Sequence, residues 1–291
     1  MNPFASSEPP EISDEKLIKN ALNGDRKSLN TLMQRHQPYV YNIAWKMTGN
    51  SEDAADLSQE VMIKIMTSLS TFKGTSSFRT WAYRIVRNHF LNDQDKPLKF
   101  FASNFDELGQ ALDSIPNVDL TEEQKLEQQE NTREVRLNCL SGMLLCLSKE
   151  QRMIYIIGEL FRADHTIGSE IMEMSKANYR MKLSKARKDL IQFMQHKCGL
   201  VDKNNPCRCH KKVTVSLEAG LIDAKNLLYN RKEYSTYREQ LEDNANFITE
   251  DADRKYLELH REHSFKTDFK TSDFLKDLLL DSKWTQMLNL N

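Results

Sequence analysis

Three groups of side chains have the types and spacing to do chemistry. The first is acidic. Asp53, Asp56 and Glu60 fall at i, i+3 and i+7 with Gln59 beside them, opposite a Leu57, Val61, Ile65 face. Paired carboxylates can move protons, but nothing nearby supplies a nucleophile or a pocket, so the stripe reads as a solvated helix face. The second group is basic and aromatic. Thr80, Tyr83, Arg84 and Arg87 share one helical face with Asn88 adjoining, while Phe78, Trp81, Ala82 and Ile85 pack the other. Guanidinium groups follow phosphates, and aromatic or amide groups stack on or hydrogen-bond to unpaired bases, so this helix suits single-stranded nucleic acid. The third group is sulfur-rich. His196, Cys198, Cys207, Cys209 and His210 lie within fifteen residues around a Lys203-Asn204-Asn205-Pro206 turn. Cys198, Cys207, Cys209 and His210 would suit a closed structural zinc site. The Cys-x-Cys spacing is not that of common zinc ribbons, so redox thiols and unligated cysteines stand as alternatives. Cys139 and Cys146 read as core residues.

A fourth constellation comes later in the chain. Leu147-Ser148-Lys149-Glu150-Gln151-Arg152 starts a helix that Met153, Ile154, Ile157 and Leu160 continue, and a short helix follows around His165 to Met172. Ser175 then caps a basic helix with Tyr179, Leu183, Ala186 and Leu190 on its inner face. A short helix, a tight turn and a basic amphipathic helix describe a helix-turn-helix, whose second element can enter the major groove of duplex DNA.

The elements that must position these groups are helices. The chain has 291 residues, 29% charged, with only 9 Gly and 7 Pro, which favours helix over turn-rich β architecture. No run approaches the length of a membrane span and the start lacks the pattern of a signal peptide, so a cytoplasmic protein without membrane insertion is expected. The formal net charge of -1 conceals two basic islands: residues 73–99 carry six basic against two acidic side chains, and residues 176–197 seven against one. Between them residues 100–135 carry nine acidic against two basic. Pro97, Gly109 and Pro116 interrupt that stretch, which reads as a linker. The expected plan is all-α. It comprises a flexible N-terminus (1–13), a helical domain (14–96), an acidic linker (97–133), a helix-turn-helix domain (134–197), a Cys/His knuckle (198–212) and a helical C-terminal extension (213–291). In the extension amphipathic spacing recurs at Leu217, Leu221, Ala224 and Leu228 and again at Phe274, Leu275, Leu278 and Trp284. No phosphate-cradling Gly-rich loop, paired-His helix or nucleophile elbow points to an enzyme.

Two blocks carry a resemblance. Asp53-Ala54-Ala55-Asp56-Leu57-Ser58-Gln59-Glu60 and Phe72-Lys73-Gly74-Thr75-Ser76-Ser77-Phe78-Arg79-Thr80-Trp81-Ala82-Tyr83-Arg84-Ile85 resemble region 2 of the sigma-70 family, extracytoplasmic-function group. Leu147 to Leu190 resembles region 4 of the same family, matching at Leu147, Glu150-Gln151-Arg152, Glu159-Leu160, Ile171, Ser175, Leu183, Ala186-Arg187 and Leu190. The resemblance implies a sigma factor, a DNA-binding subunit that binds the β′ and β subunits of core RNA polymerase, recognises -35 and -10 promoter elements and promotes melting for transcription initiation. It places polymerase contacts on Asp53, Asp56, Gln59 and Glu60. It places -10 contacts on Lys73, Ser76, Ser77, Phe78, Arg79, Trp81, Arg84, Arg87 and Asn88, and -35 contacts on Lys176, Ala177, Arg180, Met181 and Lys185. It also implies that the acidic linker threads the polymerase's nucleic-acid channel. An anti-sigma factor or other regulator is a further expected partner, and no cofactor is required apart from the zinc considered above.

Departures from the family pattern are Met62 and Met66 for aromatics, Thr75 for Asp, Glu173 for the usual turn Gly, and Gly168-Ser169 for Ile-Ala. The alternative is a stand-alone helix-turn-helix regulator sensing metal or thiol oxidation. Such a protein needs neither the acidic stripe nor the Lys73 to Arg79 loop.

Overall fold

The computed structural model describes residues 3–4, 12–92, 102–225 and 227. The first residues of the expected linker and nearly all of the expected C-terminal extension, including the amphipathic stretch at 274–290, lie outside the described residues. Caps written in the sequence start the first helices. Ser13 accepts the Lys16 N–H at the head of α1 (Asp14–Leu22), and Asp25 accepts that of Lys27 at the head of α2 (Arg26–Thr48). Helix α2 ends at Gly49, whose φ of 70° is left-handed. A Cβ there would also lie 2.5 Å from Leu145, so glycine serves both the turn and a close approach. Asn50 then caps α3 (Ser51–Thr67), accepting the Glu52 and Asp53 amides. After an exposed loop, Ser77 accepts the Thr80 amide at the start of α4 (Phe78–Asn92). Leu32, Met33, Val40, Ile43, Met62, Ile65, Ala82 and Val86 fill the space between these helices.

The chain continues through α5 (Phe105–Ser114), α6 (Glu122–Glu127), α7 (Gln129–Leu145) and α8 (Lys149–Tyr155), which runs into a π turn at Ile156–Leu160. Helix α9 (His165–Ile171), α10 (Lys176–Lys197) and α11 (Cys209–Glu218) complete the described part. The all-α expectation holds. Among the described residues there is no strand, only an isolated bridge between Cys198 and Cys207. No helix among them is long and apolar enough to cross a membrane.

Two features differ from the sequence reading. The acidic stretch is not without structure where it is described: α5, α6 and the first turn of α7 lie inside 97–133. It folds because it has a surface to fold on. Phe105 packs against Phe193 with ring centroids 5.2 Å apart, Leu108 is buried, and Asp113 pairs with Lys197 at 2.5 Å. Lys212 donates to the Leu112 carbonyl at 3.1 Å and Val118 to that of Lys211 at 2.9 Å. Gly109, read as a breaker, sits inside α5 facing Lys197 and Phe193. The second difference is at the knuckle, where α11 begins at Cys209 and runs through the expected boundary at 212.

The two helical groups share one apolar core. Phe161, fully buried, reaches Tyr39 and Tyr83 at centroid distances of 6.1 and 5.9 Å. Arg152, 2% exposed, donates to the carbonyls of Leu144, Leu145 and Leu147 and, across the chain, to that of Met47.

Candidate nucleic-acid interface

Helix α3 presents the acidic residues as the spacing predicts. Ala54, Leu57, Val61 and Ile65 are buried, Asp56 and Glu60 are exposed, and Asp53 and Gln59 are half-buried at the edge of the stripe. Glu60 lies 3.4 Å from His89 of α4, so the stripe adjoins the basic helix.

The loop before α4 leaves Lys73, Gly74 and Ser77 exposed, and Gly74 takes a left-handed φ of 71°. Ser76 accepts a hydrogen bond from Arg84 at 3.2 Å, which ties the loop to the helix behind it. Trp81 is half-buried and rests against Phe72 and Phe78, each at 5.5 Å. Arg79, Arg84, Arg87 and Asn88 are half-buried. Three expectations change. Phe78, expected to contact DNA, is 1% exposed against His36, Phe72 and Trp81, and so supports the loop from beneath. Thr80 and Tyr83, expected on the outer face, are buried, with Tyr83 between Phe4 and Phe161. Burial pushes the Tyr83 phenol well above its usual pKa, and the hydroxyl has no hydrogen-bond partner among the described residues. For Tyr83, Phe4 and the Phe161 turn cover a face that periodicity alone assigned to solvent.

The covering element brings charge with it. Arg87 pairs with Glu173 and Arg84 lies 4.0 Å from Glu170. Neither acidic residue was singled out as a site from the sequence, although Glu173 was visible as an intruder where glycine is usual. The structure shows why a glycine would fit there, since Glu173 has φ 52°.

Helix α10 matches its expectation closely. Ser175 caps it by accepting the Asn178 amide at 3.2 Å. Tyr179, Leu183, Ala186 and Leu190 are buried, while Lys176, Ala177, Arg180, Met181 and Lys185 are all exposed on one side. The base of the motif is locked by a buried Glu159 paired with Arg187. Gly168 explains its own departure from the family pattern: a Cβ there would lie 2.2 Å from the Tyr179 ring, so only glycine lets α9 seat on α10.

The cysteine group is arranged differently from the expected set. Gly199 donates to the Cys207 carbonyl at 3.0 Å, and Asn205 donates to the carbonyls of Gln195 and Cys198 at 2.8 and 3.2 Å, closing the knuckle with backbone and amide contacts. Arg208 adds bonds to the carbonyls of Lys203, Asn205 and Cys207. Cys139 of α7, read as core, is near enough to Cys198, Cys207 and Cys209 for each to act on its ionisation. His210 instead sits among Lys125, Lys211, Arg208 and Asp119; burial and the three cations hold its pKa below the usual imidazole value. Burial pushes the Cys198 thiol up to about 12 and raises Cys207 and Cys209, so these thiols are protonated at neutral pH. Among the described residues no group of three or more His, Cys, Asp or Glu side chains is placed to hold a metal ion.

Comparison with known proteins agrees with this geometry. Residues 32–96 match the sigma-70 region 2 family. RNA polymerase sigma factor YlaC of Bacillus subtilis (strain 168) is 28% identical over 171 residues, which cover 58% of this chain and 93% of the relative. The ECF RNA polymerase sigma-E factors of Escherichia coli (strain K12) and Salmonella typhimurium (strain LT2) are each 27% identical over 194 residues, covering 64% of this chain and 96% of theirs. The chain is longer than these relatives.

Proposed function

The chain belongs to the extracytoplasmic-function group of the sigma-70 family, and we propose that it acts as a non-catalytic subunit that binds core RNA polymerase, recognises two promoter elements and promotes melting. The acidic rod of α3 is the polymerase contact. Its exposed carboxylates sit on a helix that two neighbours hold rigid, so binding need not order it. The Lys73 to Arg79 loop with Trp81, Arg84, Arg87 and Asn88 reads the melted element, and the α10 face reads duplex DNA.

One observation carries the reading: Lys176, Ala177, Arg180, Met181 and Lys185 are exposed together while the opposite side of the same helix is fully packed. That presents donors one turn apart with an apolar contact between them, the set a major-groove helix uses on base edges. A stand-alone regulator would have no use for the α3 stripe or the loop before α4.

The proposed activity needs no cofactor. Zinc at the knuckle is a finer reading. It requires the Cys198, Cys207, Cys209 and His210 side chains to turn toward one point. Elemental analysis of protein purified without added metal tests it. The function itself is tested by adding the purified chain to core RNA polymerase on genomic DNA. Initiation at a discrete set of sites is expected, and no initiation above core enzyme alone would refute the proposal.

A further inference from the structure

We propose that His36 is a positioning residue for the base-reading loop before α4: held by Asp14, its ring is the floor on which both ends of that loop rest, and only the uncharged ring keeps the loop in its DNA-binding shape. The inference rests on reading the loop as the contact to melted DNA.

The geometry runs from α1 to the loop in three steps. His36 lies in α2 and is 1% exposed, with Nε2 2.9 Å from an Asp14 carboxylate oxygen. Asp14 is ionised at neutral pH, so Nε2 is the donor and the neutral ring carries its proton there. Asp14 is fixed in turn by Arg35, whose other terminal nitrogen donates to the Ile12 carbonyl at 3.0 Å. The imidazole held in this way meets the Phe78 ring at a centroid distance of 5.0 Å, with the planes 67° apart. Phe72 leads into the loop and Phe78 leads out of it. The two rings touch edge to face at 5.8 Å, and Trp81 lies 5.5 Å from each. Both ends of the loop are therefore clamped in one aromatic cluster, and His36 is beneath it.

The charges around the ring show what a proton would do. The groups that face it are Asp14 from α1, Arg35 from its own helix and Arg79 from α4. Burial holds the ring below its ordinary 6.5 and the two guanidinium groups add to that, against the bond to Asp14. Nδ1 is buried without a hydrogen-bond partner among the described residues. A proton added there would find no acceptor, and it would set a second positive charge near Arg79, a residue read as a DNA contact. Protonation therefore disturbs the loop at its two supports, Phe78 and Arg79. Because the folded ring titrates below 6.5, the disturbance begins only as pH falls under that value.

The test uses the full chain with core polymerase on a promoter fragment recovered from the genomic initiation assay, with 2-aminopurine in the melted element to report opening. His36→Gln can still donate to Asp14 but offers Phe78 no ring. It should open the promoter about threefold to tenfold more slowly at neutral pH, the worth of one aromatic edge contact. His36→Phe keeps a ring on Phe78 and cannot titrate. It should open at close to the wild-type rate at neutral pH and lack the fall that wild type shows below pH 6.5. Polymerase and DNA titrate as well, so the quantity read is the ratio of wild-type to His36→Phe opening rates, which should drop with pH. Closed-complex affinity, measured on the same samples, should stay constant, which separates loop positioning from loss of folded chain. A ratio that does not change with pH, or a His36→Gln chain that opens at the wild-type rate, would overturn the proposal. Trp81→Ala distinguishes the two levels of failure. If it also opens normally, the reading of the loop fails and the proposal with it; if it alone loses opening, only the role of His36 falls.

Discussion

Arg152→Met should destabilise the chain severely, and the structure says by how much. The side chain is 2% exposed and donates four hydrogen bonds, all to main-chain carbonyls: Leu144 at 2.8 Å, Leu145 at 2.7 Å, Leu147 at 3.0 Å, and Met47. Leu144 and Leu145 lie in the last turn of α7 and Met47 in the last turn of α2, where carbonyls have no partner within their own helix. Two helix C-termini, each the negative end of its dipole, therefore converge on one cation. Burial pulls the Arg152 pKa down to about 10, so it remains charged at neutral pH. Methionine preserves most of the stem volume and leaves little cavity. What is lost is donation to buried carbonyls, each costing about 1–3 kcal/mol when unmet, although the Leu144 carbonyl keeps the Leu147 amide at 3.1 Å. Water and small shifts recover part of that, and removing the guanidinium ends its own desolvation. The net loss should be near the about 3–5 kcal/mol seen when one side of a buried charged arrangement is removed. At about 2–4 °C per kcal/mol for a protein of this size, Tm should fall by about 10 °C. Urea titration followed by Trp fluorescence should show a lower midpoint at unchanged slope. Arg152→Lys, which keeps the charge but cannot span four carbonyls, should lose roughly half as much. A stability for Arg152→Met within about 1 kcal/mol of wild type would show that the convergence of α2 and α7 does not depend on this residue.

Three further outcomes are expected. Asp56→Lys with Glu60→Lys should abolish co-purification with core polymerase while leaving the circular dichroism spectrum unchanged; full retention on core enzyme would remove α3 as the contact. Arg180→Ala should weaken discrimination between upstream duplex sequences by about 1–3 kcal/mol, whereas Trp81→Ala should lower open-complex yield at unchanged closed-complex affinity; equal effects of both on both complexes would refute the division of labour. Acid should destabilise the first helices in two stages. Burial holds His36 below its ordinary 6.5 despite its bond to Asp14, with Arg79 and Arg35 adding to the shift. The unfolded chain thus binds the His36 proton first, and stability falls as pH drops below about 6.5. Burial raises Asp14, but the bonds and charges of His36 and Arg35 outweigh it and leave it below 3.8, so its contribution is lost as pH falls below that value. A Tm that stays flat from pH 7 to pH 5 would contradict the His36 assignment, and Asp14→Asn should remove the lower stage.

Much of the fold was legible because it is local. A cap needs a side chain two or three residues from the amide it accepts, so Ser175 could be named from sequence. An inner face needs only the helical period, so Tyr179, Leu183, Ala186 and Leu190 could be placed and the exposed Lys176 to Lys185 face with them. The same holds for the α3 stripe. What tertiary structure decided were contacts between segments far apart in the chain. Periodicity put Tyr83 outside because it cannot know that Phe161 will lie on it. Charge counting made 97–133 a linker because the Lys197, Lys211 and Lys212 side chains that receive it come some ninety residues later. Spacing chose His210 as the fourth member of the cysteine group because it neighbours Cys209, while the fold sets His210 among Lys125, Lys211, Arg208 and Asp119. Hydrogen-bond caps and amphipathic faces are set within a turn or two of helix, so the order of residues determines them; which of those faces meets which depends on how the helices pack, and only the folded chain holds that information.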